Sequence, residues 1–120
     1  MPRRVIDYQV PLNTVGYNPL AGWEYETIPA AYDGGVIIKV LATSEIAHAL
    51  SMRVKAGSQT IQDHGNLSLD AVPGHLPVDQ LVQPLVFRAQ PGDLVGLSID
   101  ENLGENTYVQ MIIDVEPIIA

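Results

Sequence analysis

Apolar and polar residues alternate most regularly near the C-terminus. Over Thr107 to Val115, the set Val109, Met111, Ile113 and Val115 points one way and Tyr108, Gln110, Ile112 and Asp114 the other, the period-2 signature of a half-buried strand. Leu94 to Asp100 alternates in the same manner after Gln90-Pro91-Gly92-Asp93, a sequence suited to a sharp turn. The two segments are expected to pair as a hairpin. Upstream, Val36 to Ala42 is an apolar run broken only by Lys39, as in a strand covered on both faces, and Asp33-Gly34-Gly35 provides the turn before it.

Between these segments the pattern is shorter in reach. Thr43 to Val54 admits a helix, because Ile46, Ala49, Leu50 and Val54 fit a 3.6-residue period behind a Ser44 cap. From Leu50 onward, however, Leu50, Met52, Val54 and Ala56 alternate with Ser51, Arg53 and Lys55, so a turn over 44–48 followed by a strand is expected. Gly57-Ser58 then reverses the chain into Gln59 to Gln62, a polar edge strand. Asp63-His64-Gly65-Asn66 turns it again into an alternating Asn66 to Val72. Pro73-Gly74, Pro77 and Pro84 mark a crossing loop ahead of a strand over Leu85 to Ala89.

The N-terminal third is less regular. Val5 to Val10 reads as extended, Pro11, Asn13, Gly16, Asn18 and Pro19 punctuate an irregular stretch, and Trp23 to Ile28 reads as a strand closed by Pro29. Residues 1–22 are therefore expected to form an extended arm and 23–120 a β-sandwich domain. About eight short strands without βαβ alternation point to an all-β antiparallel fold, with a jelly roll preferred and an immunoglobulin-like sandwich the alternative.

Composition narrows the partners. The 120 residues suit one domain, and 47% hydrophobic content is enough for a core without disulfides or metals. There is no cysteine, which excludes thiolate zinc sites and cysteine nucleophiles. No apolar h-region follows Arg3 and Arg4, and no run of about 18 apolar residues occurs, so neither a secretory signal nor a membrane helix is expected. A formal charge of -8 makes nucleic acid and anionic lipid poor partners, with the basic pair Arg3-Arg4 as a local exception suited to an acidic neighbour or to a solvated chain end.

No reagent stands out. His48, His64 and His75 have no metal-ligand spacing and lack the paired His-x-His of metal-binding cupins, so exposed loop positions are expected for them. Asp100, Glu101, Asn102, Glu105 and Asn106 offer calcium-type oxygens, although any exposed turn has this composition. There is no Gly-x-Ser-x-Gly elbow and no phosphate loop. A non-enzymatic role without cofactors or metal is expected. Tyr17, Trp23, Tyr25 and Tyr32 are concentrated in the N-terminal third, where they could pack on the core, anchor a protein interface or carry a sugar.

The order of these features resembles that of the jelly-roll cement or decoration proteins on the capsids of tailed bacteriophages. The features are the Pro/Asn-rich segment Pro11 to Pro19, the Trp-containing first strand, the Gly-Gly-led Val36 to Ala42 and the strand Leu50 to Gly57. After them come Pro73-Gly74-His75-Leu76-Pro77, Gln90-Pro91-Gly92-Asp93-Leu94 and a last strand running into Glu116-Pro117-Ile118. The resemblance implies a structural protein of the virion. It would sit on the outer capsid surface and cross-brace neighbouring copies of the major capsid protein, with itself (dimer or trimer) as a second partner. Arg3, Arg4, Val5, Ile6, Tyr8, Val10 and Tyr17 of the arm would then form the protein interface, with Trp23 and Tyr25 as anchors. A carbohydrate- or receptor-binding module of a phage fibre or vertex is the alternative.

Overall fold

A computed structural model describes residues 3–46, 49–62 and 85–118. Within them, seven strands form two antiparallel sheets: β1 (Arg3–Val10), β2 (Val36–Ser44), β3 (Leu50–Ala56), β4 (Gln59–Gln62), β5 (Leu85–Ala89), β6 (Val95–Glu101) and β7 (Thr107–Pro117). The larger sheet has the order β1-β7-β2-β5 and the smaller β4-β3-β6. The expected strand over Asn66 to Val72, the crossing loop around Pro73 and all three histidines lie outside the described residues.

The two sheets share one apolar core. The larger contributes Ile6, Val10, Ile38, Val40, Phe87, Met111 and Ile113, and the smaller Leu50, Met52, Val54, Leu97 and Ile99. In β7 the apolar set that the alternation selects is buried, Val109, Met111, Ile113 and Val115 each at most 1% exposed, and Asp114 on the opposite face is also buried, at 8%. β2 lies centrally, between β7 and β5, and β4 lies at an edge, both as expected. A sandwich-like all-β architecture is the result.

Three expectations are corrected. First, β6 and β7 do not form a hairpin: β6 pairs with β3 and β7 with β1 and β2, so residues 102–106 cross from one sheet to the other. Period-2 alternation reports which face of a strand is buried and is the same whether the core is reached beside a neighbour or across from one.

Second, Trp23 to Ile28 is not a strand. Glu24–Glu26 makes a 3-10 turn, closed by Glu26 N–H donating to the Trp23 carbonyl at 3.0 Å. Asn18 favours this bend, because its Oδ1 accepts from Leu20 N at 2.9 Å while its Nδ2 donates to Glu26 Oε2 at 2.9 Å. Ile28 is the member of the segment that is fully buried in the core, at 1% exposure, while Trp23 and Tyr25 pack against it partly buried.

Third, the N-terminus does not stand off as an arm over residues 3–10. β1 is paired with β7 along its whole length, from Arg3↔Asp114 to Val10↔Thr107. Its alternation buries Ile6 and Val10, at 9% and 0% exposure, and the free energy of burying such side chains holds the strand down. Beyond β1, Tyr17 and Ile99 exchange backbone hydrogen bonds of 3.0 and 2.8 Å, so the stretch after Val10 is fastened along β6.

Candidate interaction surface

Side chains at even positions of β1 face the core side of the sheet, where Ile6 and Val10 are buried while Arg4 and Tyr8 remain partly accessible beside the core. Arg4 is half-buried. Its Nε donates to the Pro19 carbonyl at 2.8 Å and its guanidinium carbon lies 5.9 Å from the centroid of the Trp23 ring, within cation–π range. Trp23 meets Tyr25 edge to face at 5.2 Å and 65°. Tyr25 lies parallel to Tyr32 at 6.3 Å and 8°. Tyr8 and Tyr17 stack at 4.4 Å and 22°.

Electrostatics tie these contacts together. Burial, and then the neighbouring Tyr8, push the Tyr17 phenol up from its ordinary value, while Arg4 opposes that rise. Tyr25 is also pushed up, first by its hydrogen bond with Tyr32 and then by burial and the charge of Glu24. The stacked pair of Tyr8 and Tyr17 and the run of ring contacts from Trp23 through Tyr25 to Tyr32, with Arg4 over Trp23 and acting electrostatically on Tyr17, make up an aromatic strip in two parts. Tyr8 is 40% exposed, and Tyr17, Trp23, Tyr25 and Tyr32 are partly buried against the core. Glu24 and Glu26 lie within the strip's turn, the latter held by Asn18.

The structure divides the expected interface residues. Arg4, Tyr8, Tyr17, Trp23 and Tyr25 are brought together in the strip. Ile6 and Val10 belong to the core and present no surface, since the strand that was expected to be an arm is part of a sheet. Arg3 and Val5 emerge on the opposite, outward face of β1. There Arg3 holds Asp114 with both carboxylate oxygens, Nε to Oδ1 at 2.6 Å and Nη2 to Oδ2 at 3.0 Å. These two residues border a shallow groove of ≈ 370 Å³ completed by Ile37, Lys39, Val86 and Glu116. Tyr32, grouped with the other N-terminal aromatics in the sequence but not among the residues expected at the protein interface, also belongs to the strip. Its sequence signal is its clustering with the other N-terminal aromatics, and the turn that swings it beside Tyr25 is not readable from spacing.

The acidic loop after β6 uses its oxygens internally. Glu101 Oε1 accepts from Asn13 N at 2.9 Å and Gly104 N at 2.7 Å, while Oε2 accepts from Leu103 N at 2.7 Å. Asp100 Oδ1 accepts from Gly16 N at 2.8 Å and Asn106 Oδ1 from Leu12 N at 2.9 Å. The calcium-type composition thus serves to fasten the 12–16 stretch onto the crossing between sheets. Among the described residues no group of three or more His, Asp or Glu is placed to hold a metal ion.

No family model, no curated protein and no solved structure matches the chain.

Proposed function

We propose that the protein is a non-enzymatic adhesive module that binds a partner protein through the Arg4 and aromatic strip. The supporting observation is the run of ring contacts from Arg4 over Trp23 through Tyr25 to Tyr32, with Tyr8, on the same strand as Arg4, stacked on Tyr17: rigid amphipathic rings and one planar cation are the residue types that dominate protein-interface energetics. The finer reading is a cement protein on the outside of a tailed-phage capsid. Its partner is the major capsid protein, and repeated weak contacts over a shell provide avidity. The formal charge of -8 suits an exterior position, away from packaged nucleic acid.

A jelly roll is the topology we assign. In that fold the first strand lies beside the eighth and then the third and sixth, and the second beside the seventh and then the fourth and fifth. The observed orders β1-β7-β2-β5 and β4-β3-β6 fit this plan if the 14–28 stretch, bridged to β6 at Tyr17↔Ile99 and next to it at Thr27↔Leu94, takes the second strand's place.

A carbohydrate- or receptor-binding role is the second reading, favoured by the near-parallel Tyr25 and Tyr32 rings on which a sugar face could lie. The deciding experiment purifies phage particles from cells carrying the gene and quantifies the protein on them, with a glycan array run in parallel. Stoichiometric presence on particles with a silent array supports the cement role. Glycan binding without particle association supports the second reading and overturns the first.

A further inference from the structure

The outer edge of β1 carries information that the aromatic strip does not use. Glu45 N–H donates to the Tyr108 carbonyl at 2.8 Å and Ile118 N–H to the Gly35 carbonyl at 3.0 Å, both in the β2–β7 register. Even-numbered residues of β7 therefore aim their backbone groups at β2, and odd-numbered ones at β1. Since Ile113 is opposite Arg4 and Met111 opposite Ile6, the even residues of β1 complete that ladder. It follows that Arg3, Val5, Asp7 and Gln9 direct their N–H and C=O groups away from the sheet. Among the described residues no strand pairs with that edge.

The side chains of these residues lie on the outward face, and their order is self-complementary. An antiparallel second copy with its two-fold axis at Val5 places Val5 opposite Val5, and Arg3 opposite Asp7 in both halves. Only an even register sum of this kind keeps the outward faces of the two copies on the same side, and it also makes the opposed odd residues hydrogen-bonding pairs. Val5 is 52% exposed, an apolar side chain that the described residues of its own subunit leave half uncovered. Arg3 is held by Asp114, yet its side chain remains 55% exposed and has donors to spare for a second carboxylate. Asp7 is exposed.

We infer that two copies of this chain join edge to edge through β1, from Arg3 to Asp7, to make one continuous eight-stranded sheet across a dyad at Val5. The occupant is a second copy because an opposite-charge pair recurs on both sides of the dyad with a half-exposed valine at its centre. Each pair exchanges two backbone hydrogen bonds, giving about six in the joint. The shared edge brings Arg4 and Tyr8 of both copies, on the other face of β1, to either side of the same axis. The joint depends on the backbone and charge pattern of β1 alone, independently of any capsid or sugar.

Sedimentation equilibrium on the full chain tests it, with Val5→Pro, Asp7→Lys and Val5→Cys. Val5→Pro removes an outward N–H and leaves the β7 ladder intact, a place where an edge strand tolerates proline. Asp7→Lys sets like charges opposite each other. The wild type is expected to be dimeric, and each of these two variants to weaken the dimer by at least about tenfold with an unchanged circular dichroism spectrum. Two Val5→Cys residues face each other at about 5.5 Å between Cα atoms, within disulfide reach, and should cross-link on mild oxidation. A cysteine at the 83% exposed Val15 should not. A monomeric wild type at the highest attainable concentration overturns the inference. So does a dimer unaffected by Asp7→Lys, or cross-linking at Val5→Cys no faster than at Val15→Cys.

Discussion

Arg4 lies over the Trp23 ring, 5.9 Å from its centroid, while its Nε holds the carbonyl of Pro19 at 2.8 Å. One side chain thereby fastens the irregular 11–28 stretch to β1 and orders the middle of the aromatic strip. Pro19 is buried, so the carbonyl has little water to turn to if the guanidinium is lost. Arg4→Ala should therefore cost about 1–3 kcal/mol, the sum of a cation–π contact and an unsatisfied acceptor. Arg4→Lys keeps the charge but not the planar fork and should fall between. Urea denaturation midpoints check both.

Glu101 predicts an acid dependence. Hydrogen bonds from backbone N–H groups, that of Asn13 foremost, hold its carboxyl below the usual carboxylate range against the opposing effect of burial. A group with a depressed folded-state pKa stabilises the fold above its unfolded value, and that stability is lost as pH falls through the folded value. Thermal midpoints should therefore decline for the wild type as pH is lowered from about 5 to about 3. Glu101→Gln should start lower at neutral pH and decline less over that interval.

The sequence announced these strands better than their partners. In β3 the alternation of Leu50, Met52, Val54 and Ala56 with Arg53 and Lys55 is the burial pattern observed, apart from Ser51, which is buried and accepts from Asn102 Nδ2 at 3.1 Å. In β6 and β7 the buried faces were legible, but the pairing was not, because alternation contains no term for the neighbouring strand. The strip was half legible. Aromatic residues in one third of the chain marked it, while the Asn18-directed bend that stacks them depends on hydrogen bonds with no periodic signature. β1 was legible as extended but not as paired, since its partner lies at the other end of the chain.

Two glycines with similar backbone angles should respond differently to alanine. Gly35 has φ +82°, and a Cβ there would stand 2.8 Å from the Ala89 carbonyl oxygen, a backbone atom fixed in β5. Gly92 has φ +85°, and none of the described residues other than its chain neighbours comes within 4 Å of a Cβ there. Gly92→Ala should cost about 1–2 kcal/mol, the left-handed penalty alone. Gly35→Ala adds a backbone collision and should exceed it by a further ~1 kcal/mol or more. Denaturant titration of the pair isolates the collision.

Thr43 points the other way. It is 1% exposed and its Oγ1 has no hydrogen-bond partner among the described residues. Replacing a buried, unsatisfied hydroxyl by a methyl of similar shape removes its desolvation penalty. Thr43→Val should stabilise the protein by about 1 kcal/mol, read as a rise in the denaturation midpoint with an unchanged m-value. Loss of stability would mean that the hydroxyl is hydrogen-bonded.

The most direct measurement is co-sedimentation with phage particles purified from cells carrying the gene, comparing the wild type with a Tyr8→Ala/Tyr25→Ala double variant whose fold is verified by circular dichroism. Adhesion through the strip predicts that the wild type pellets with the particles and that the folded double variant loses binding by at least about tenfold, as for truncated aromatic anchors. Equal pelleting of the two proteins, or none by the wild type, would contradict it.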